Sequence, residues 1–279
     1  MDLPEHAPDR MATPPPMGTV ERACWDLVTA TRWEDKRPPR AEAWWDAPQP
    51  LRLEGPGRPP GLEELERAPR TPRPGALQRP EARAALFVRF LHHELQAAEL
   101  FAWGVLAFPD TPRAFREGLV RLASEELGHL ELYRTHARRL GADTERMPIR
   151  DWFWTRVHAC AEPAQFVAFL GLGLEGANLD HSARFAEAFR ACGDEEGAAI
   201  LERVGCDEVR HVAFSRTWFE RFTGQPLDFE QWAEALPAPL TPALFRGTPL
   251  QRTARAAAGM DTTFLDALAR APRATERPR

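Results

Sequence analysis

The chain has 279 residues, 43% hydrophobic and 28% charged, with a net charge of −5. That length allows one sizeable core plus an extension, or two small domains, and the acidic balance argues against nucleic acid or an anionic membrane as partner. The four cysteines, Cys24, Cys160, Cys192 and Cys206, form no CxxC pair, which excludes a zinc knuckle or a rubredoxin-like iron site and fits a reducing, cytoplasmic location.

The N-terminal stretch MDLPEHAPDRMATPPP lacks the basic-then-apolar pattern of a secretory signal. No uncharged apolar run reaches the ~20 residues a membrane span needs. Residues 1–79 read as a Pro/Trp-rich extension. Sixteen of the 27 prolines lie in residues 1–80, and each removes a backbone donor and breaks a helical turn. One short helix is expected at about Val20–Thr31, capped by Thr19. Trp25, Trp33, Trp44 and Trp45 point to an irregular arm packed over the main domain, with a flexible linker as the alternative.

Residues 80–224 change character. Pro80 opens a long apolar helix to about residue 108. FPDTP (108–112) breaks it, and Thr111–Pro112 predicts a cap and first turn for a second helix ending near Gly141. Residues 142–162 form a long connection with one short helix inside. Pro163 opens a third helix to about Ala191. CGDEEG turns the chain into a fourth, from about Gly197 to Thr223, stopped by Gly224. No β-alternation of useful length is present. Two helix pairs joined by short turns, with one long crossover between helices 2 and 3, give an all-α fold with the connectivity of a ferritin-like four-helix bundle. Residues 225–279 predict short C-terminal helices at Asp228–Leu236 and Thr262–Leu268, packing on the bundle and fraying after Ala271.

Two stretches place a carboxylate and an imidazole on one helical turn: Glu126 and His129 in SEELGHLELY, Glu208 and His211 in CDEVRHVAF. Glu94 precedes Glu126 by 32 residues and Glu175 precedes Glu208 by 33. At 1.5 Å rise per residue, a helix pair climbs about 20 Å to its turn and returns by as much, so each pair of glutamates comes back to one level. Glu94 shares its stripe with Phe87, Leu91, Ala98 and Phe101, and Glu175 shares one with Ala168, Leu172, Leu179 and Ser182. Ionised acids on apolar stripes are costly to bury unless paired or metal-bound. Two divalent cations balance four carboxylates with both histidines neutral. A Glu from each of two helices plus Glu-x-x-His from the other two is a di-iron or di-manganese ligand set. Asp207 is expected to reach the far nitrogen of His129 and Glu125 that of His211, with Arg210 neutralising Asp207. The bland reading makes these acids solvated surface groups. Glu99 ranks second to Glu94 as a ligand, and His92, His93, His136 and His181 read as packing or surface residues.

HHELQAAELFAW, GLGLEGANLDH, DEVRHVAF and PLTPALFRGTPL together resemble a ferritin-like family catalogued as a domain of unknown function, over roughly residues 80–270. The six ligand positions are also similar to those of rubrerythrins, ribonucleotide reductase small subunits, bacterial multicomponent monooxygenases and tRNA-hydroxylating ferritin-like enzymes. The resemblance implies O2 activation at a non-haem di-iron centre, with manganese or a mixed Mn/Fe pair as alternatives. It does not imply a substrate; the reading adds O2 or peroxide and an unidentified small molecule as reactants, with an electron-donor protein and a homodimer as candidate partners. Tyr133, the sole tyrosine, stands four after His129, as in the reductase small subunit, where that tyrosine holds a radical; the other reading is a core tyrosine with its hydroxyl hydrogen-bonded. Two rival functions remain: metal handling or peroxide scavenging, and a non-catalytic interaction protein whose metals only stabilise the helices.

Overall fold

Proline opens the long helices because its missing N–H falls where the first turn needs no donor. In the computed structural model, which describes residues 13–45, 47, 49–65 and 71–272, α1 (Val20–Thr29) is capped by Thr19, whose hydroxyl accepts from Arg22 N. α2 (Pro80–Ala107) begins at its proline, and α3 (Arg113–Arg139) follows Pro112. Thr111 does not cap α3 as expected. Its hydroxyl donates backward to Phe108 O at 2.7 Å, closing the turn instead. α4 (Trp154–Val157) lies inside the crossover. α5 (Pro163–Val167), a π-helical segment (Ala168–Glu175) and α6 (Gly176–Ala191) then form one continuous rod. α7 (Glu195–Thr223) starts two residues earlier than predicted, because the Asp194 side chain caps it by accepting from Gly197 N at 2.9 Å. It ends at Gly224, whose φ of 70° is the left-handed conformation glycine adopts without penalty.

Three further features depart from the sequence reading. β1 (Leu62–Glu64) and β2 (Met147–Ile149) pair in parallel; three residues are too few for alternation to register. The third long helix contains the π segment, which has no residue signature. The tail holds α8 (Phe229–Ala235) and α10 (Thr262–Arg270) near their expected places, and also an unforeseen α9 (Arg252–Ala257). The fraying expected past Ala271 falls largely outside the described residues. Among the described residues, no helix is long and apolar enough to cross a membrane.

α2 packs along α3, the α5–α6 rod packs along α7, and α3 and α7 touch each other. Every residue of α2 from Glu94 to Ala107 is buried, as expected of a helix that is apolar all round. Burying Leu91, Leu95 and Phe101 stabilises by roughly 1.5–3 kcal/mol each. α1 and the arm cover the side of α2 that α3 leaves open. Leu51 N donates to Leu106 O at 2.9 Å and Trp103 Nε1 to Leu53 O at 3.1 Å. The tail is tied to α6 by Asp180. Its Oδ2 accepts from Arg255 Nη2 at 2.9 Å and Gly247 N at 2.7 Å, and its Oδ1 from Gln251 N at 2.7 Å. A buried ion pair with its lone pairs filled in this way is costly to break from one side.

Candidate metal centre

α2 buries three polar side chains within six residues, and each meets a different neighbour. Gln96 Oε1 accepts from Phe153 N at 3.1 Å, on the crossover. Glu99 faces the arm: Lys36 Nζ donates to it at 2.7 Å, Arg58 Nη2 at 2.9 Å, and Trp154 Nε1 at 3.0 Å. Glu99 is thus occupied by cations of the protein itself. Those two cations hold its carboxyl below the usual range despite its burial. The sequence hides this network because Lys36 and Arg58 lie 63 and 41 positions away.

Glu94 turns the other way, into a cluster of carboxylates and imidazoles. Glu94, Glu126, His129 and Glu208 form one group, and Glu126, Glu175, Glu208 and His211 a second. All are buried, and within each group one ligand atom per residue lies within 4.8 Å of the others. Glu126 and Glu208 belong to both groups. These are the six residues singled out by helical spacing. His129 Nδ1 lies 3.3 Å from Glu126 and 4.0 Å from Glu94. Glu126 Oε1, Glu208 Oε2 and His211 Nδ1 are buried without a hydrogen-bond partner. Orphaned buried acceptors cost stability unless a cation answers them.

The proton affinities follow from this crowding. Burial, then the charge of Glu126, holds the Glu94 carboxyl well above the usual carboxylate range; burial and Glu208 do the same for Glu175. Burial acts on Glu126 too, but His211 and His129 outweigh it and hold that carboxyl well below. Burial disfavours a charged His129, yet Glu126 pushes its pKa up to about 9. His211 is raised well above its ordinary value by Glu208 and Glu126, against burial. Four groups therefore gain affinity for a proton: Glu94, Glu175, His129 and His211. Four is also the positive charge of two divalent ions.

The outer nitrogens of the histidines are held from the surface side. His129 Nε2 lies 3.3 Å from Asp207 Oδ2, and His211 Nε2 lies 2.8 Å from Glu125 Oε2. The exposed Arg210 bridges both acids, 2.8 Å from Asp207 and 3.4 Å from Glu125. One partner was missed: Asn178 Nδ2 donates to Glu208 Oε1 at 2.9 Å. Its place three residues after Glu175 on the same stripe was the available signal. Tyr133 is buried, with its ring against Phe87 and Phe90. Burial and the nearby acids, Glu94 first, hold its phenol well above the ordinary value.

A cavity of about 660 Å³ reaches the cluster from the other side. Glu94 and Glu175 line it, together with Phe90, Trp152, Phe153 and Leu174. The site is polarised: two terminal carboxylates face the cavity, and both histidines face the α3–α7 surface.

A family model described as "Protein of unknown function (DUF455)" matches residues 20–266. The chain belongs to this family. The DUF455 match begins at the first residue of α1 and ends within α10, so it covers all six clustered residues and most of the arm and tail as well. No curated protein and no solved structure matches the chain. The DUF455 name carries no chemistry.

Proposed function

We propose that this protein is a ferritin-like four-helix bundle holding two divalent metal ions, iron first and manganese or a mixed pair second, for O2-dependent oxidation of an organic molecule in the cavity. The carrying observation is that Glu94 and Glu175, two members of the buried acid cluster, line the cavity. The donor set fits the ions. Mixed carboxylate and imidazole ligands suit iron and manganese, and the unpartnered Glu126 Oε1 and Glu208 Oε2 lie 2.7 and 3.0 Å from the unpartnered His211 Nδ1, close enough for one ion to answer all three.

Glu126 and Glu208 would be shared by both ions, Glu94 with His129 would hold one, and Glu175 with His211 the other. When bound, such a pair supplies electron transfer to O2 from two adjacent redox ions. The rest falls to the side chains. Asp207 and Glu125 accept from the outer N–H of each histidine, which fixes the tautomer and turns Nδ1 inward. Asn178 fixes the rotation of Glu208. Phe90, Trp152, Phe153 and Leu174 exclude water and position the organic molecule. Tyr133 keeps its proton in the resting protein. For monooxygenation, one atom of O2 enters a substrate C–H bond and the other leaves as water, with two electrons and two protons supplied through a separate donor protein.

The test is metal analysis of the purified protein, then O2 uptake after anaerobic loading with Fe(II). The expected result is close to two metal ions per chain and O2 consumption lost in Glu126→Ala. Sub-stoichiometric metal after loading, or loaded protein inert to O2, would overturn the proposal.

A further inference from the structure

The shape of the cavity limits what it can hold. Glu81, Ala84, Val88, His92 and Gln96 line it, and their spacing of three or four places them on one face of α2. At 1.5 Å per residue, that face runs about 22 Å. One end carries Glu81 beside residues 140–143, which follow α3, and Arg146. The other carries Glu94 and Glu175. Between them the wall carries Val88 and Phe90 from α2 and Met147 and Ile149 from β2, with Arg89 and His93 on the same stretch of α2. The cavity is therefore a slot along α2, apolar in the middle and acidic at the inner end.

The outer end is different. Arg146 is exposed and has no ion-pair partner among the described residues. Of the two acids there, Asp143 already accepts from the backbone N–H groups of Glu145 and Arg146. Arg146 draws an anion to this exposed end; of the other two arginines in the lining, Arg89 already has a partner and Arg150 is only partly exposed, so Arg146 sets the direction of entry.

We infer that the slot takes an elongated aliphatic carboxylate, with its head at Arg146 and its chain along Val88, Phe90, Met147 and Ile149. The far end of the chain then lies beside Glu94 and Glu175. This rests on the proposed metal centre only for what happens at that far end; the binding itself requires no metal. A cavity in the few-hundred to 1,000 Å³ range is ordinary for small-molecule sites, and a chain is the shape that touches both ends of this one.

The experiment is calorimetric titration of the full chain, metal-loaded and metal-free, with octanoate, decanoate and dodecanoate and with the matching n-alcohols below their aggregation limits. Affinity should rise about tenfold or more for each two methylenes added, from the transfer value per CH2. Carboxylates should bind at least tenfold tighter than the alcohols, in both metal states. Arg146→Ala should remove that preference while alcohols bind as before, and Val88→Trp, with melting temperature and metal content checked, should abolish binding of both. Equal affinity for acids and alcohols, or no dependence on chain length, would overturn the inference. A carboxylate preference that vanishes in the metal-free protein would also overturn it, because the head would then sit on the metals. Loss of O2 reactivity with binding intact would count against the metal proposal alone.

Discussion

Glu126 Oε1 lies 2.7 Å from His211 Nδ1, yet both atoms are buried and neither has a hydrogen-bond partner. Proximity without alignment is what two donors converging on a third atom leave behind. Glu126 and Glu208 lie in both ligand groups, whereas Glu94 and Glu175 each lie in one. Elemental analysis should therefore find that Glu126→Ala or Glu208→Ala loses most of both ions, while Glu94→Ala retains roughly half. Full metal content in Glu126→Ala would place the ions elsewhere.

Removing the acids behind the histidines is a milder change. Asp207→Asn and Glu125→Gln leave all six inner residues in place but weaken the hold on each imidazole. Chelator competition should show metal affinity lower by about 10–100-fold in each variant. Unchanged affinity would make these acids solvated surface groups.

Acidity should act oppositely on the metal-free and the metal-loaded protein. With its pKa raised to about 9, His129 keeps a proton that the unfolded chain, at about 6.5, has released. Stability from this group is complete below about pH 6.5 and lost as pH rises towards 9. Glu94 and Glu175, also raised, act in the same direction from about pH 4.3 upward. Glu126, held low, contributes stability above about pH 4.3 that is lost on acidification. In loaded protein, protons compete with the ions for these atoms, so metal stabilisation grows with pH. The melting-temperature gap between loaded and chelator-treated protein should widen from pH 6.5 to 9. A constant gap would separate these residues from the metal.

Glu99 offers a test of the arm. Arg58 ties it to Asp151, 2.7 Å from Arg58 Nη2, and Asp151 in turn meets His92 Nε2 at 3.2 Å. Arg58→Ala leaves Lys36 on Glu99 but strips Asp151 of its guanidinium, at a cost of about 3–5 kcal/mol. Chemical denaturation should show that loss. A change under about 1 kcal/mol would mean the pair is screened by water.

Gly171 lies where the π segment crosses α7. A Cβ there would collide with the Oγ and Cβ of Ser215. Gly171→Ala should destabilise by about 1–3 kcal/mol, and Ser215→Gly in the same chain should restore part of it. Equal melting temperatures for wild type and Gly171→Ala would remove the close approach.

Much of the candidate site's geometry was legible because it is local or periodic. Pro80, Pro163 and Gly224 mark helix ends through backbone chemistry that does not depend on context. The 32- and 33-residue intervals work because helical rise is constant. What escaped was relational. Glu99 and Glu94 are both buried acids on one helix, and only the fold shows that Lys36 and Arg58 come to the first and that other carboxylates surround the second. Asp180 and Arg255, 75 positions apart, gave no sign of pairing. The cavity is built from α2, β2 and the crossover together, and no one segment encodes it.

The wide winding at Ala168–Glu175 makes the third rod sensitive to length rather than to composition. Deleting one residue there keeps the flanks in phase only if ordinary winding returns; with the wide winding kept, the loss would swing Pro163–Val167 by about 80° relative to Glu175. Phe166 would leave Trp103 and Phe108, and the crossover would lose its seat on α2. Hybrids that splice this rod from another helical protein should therefore match residue count from Pro163 to Glu175 before they match sequence.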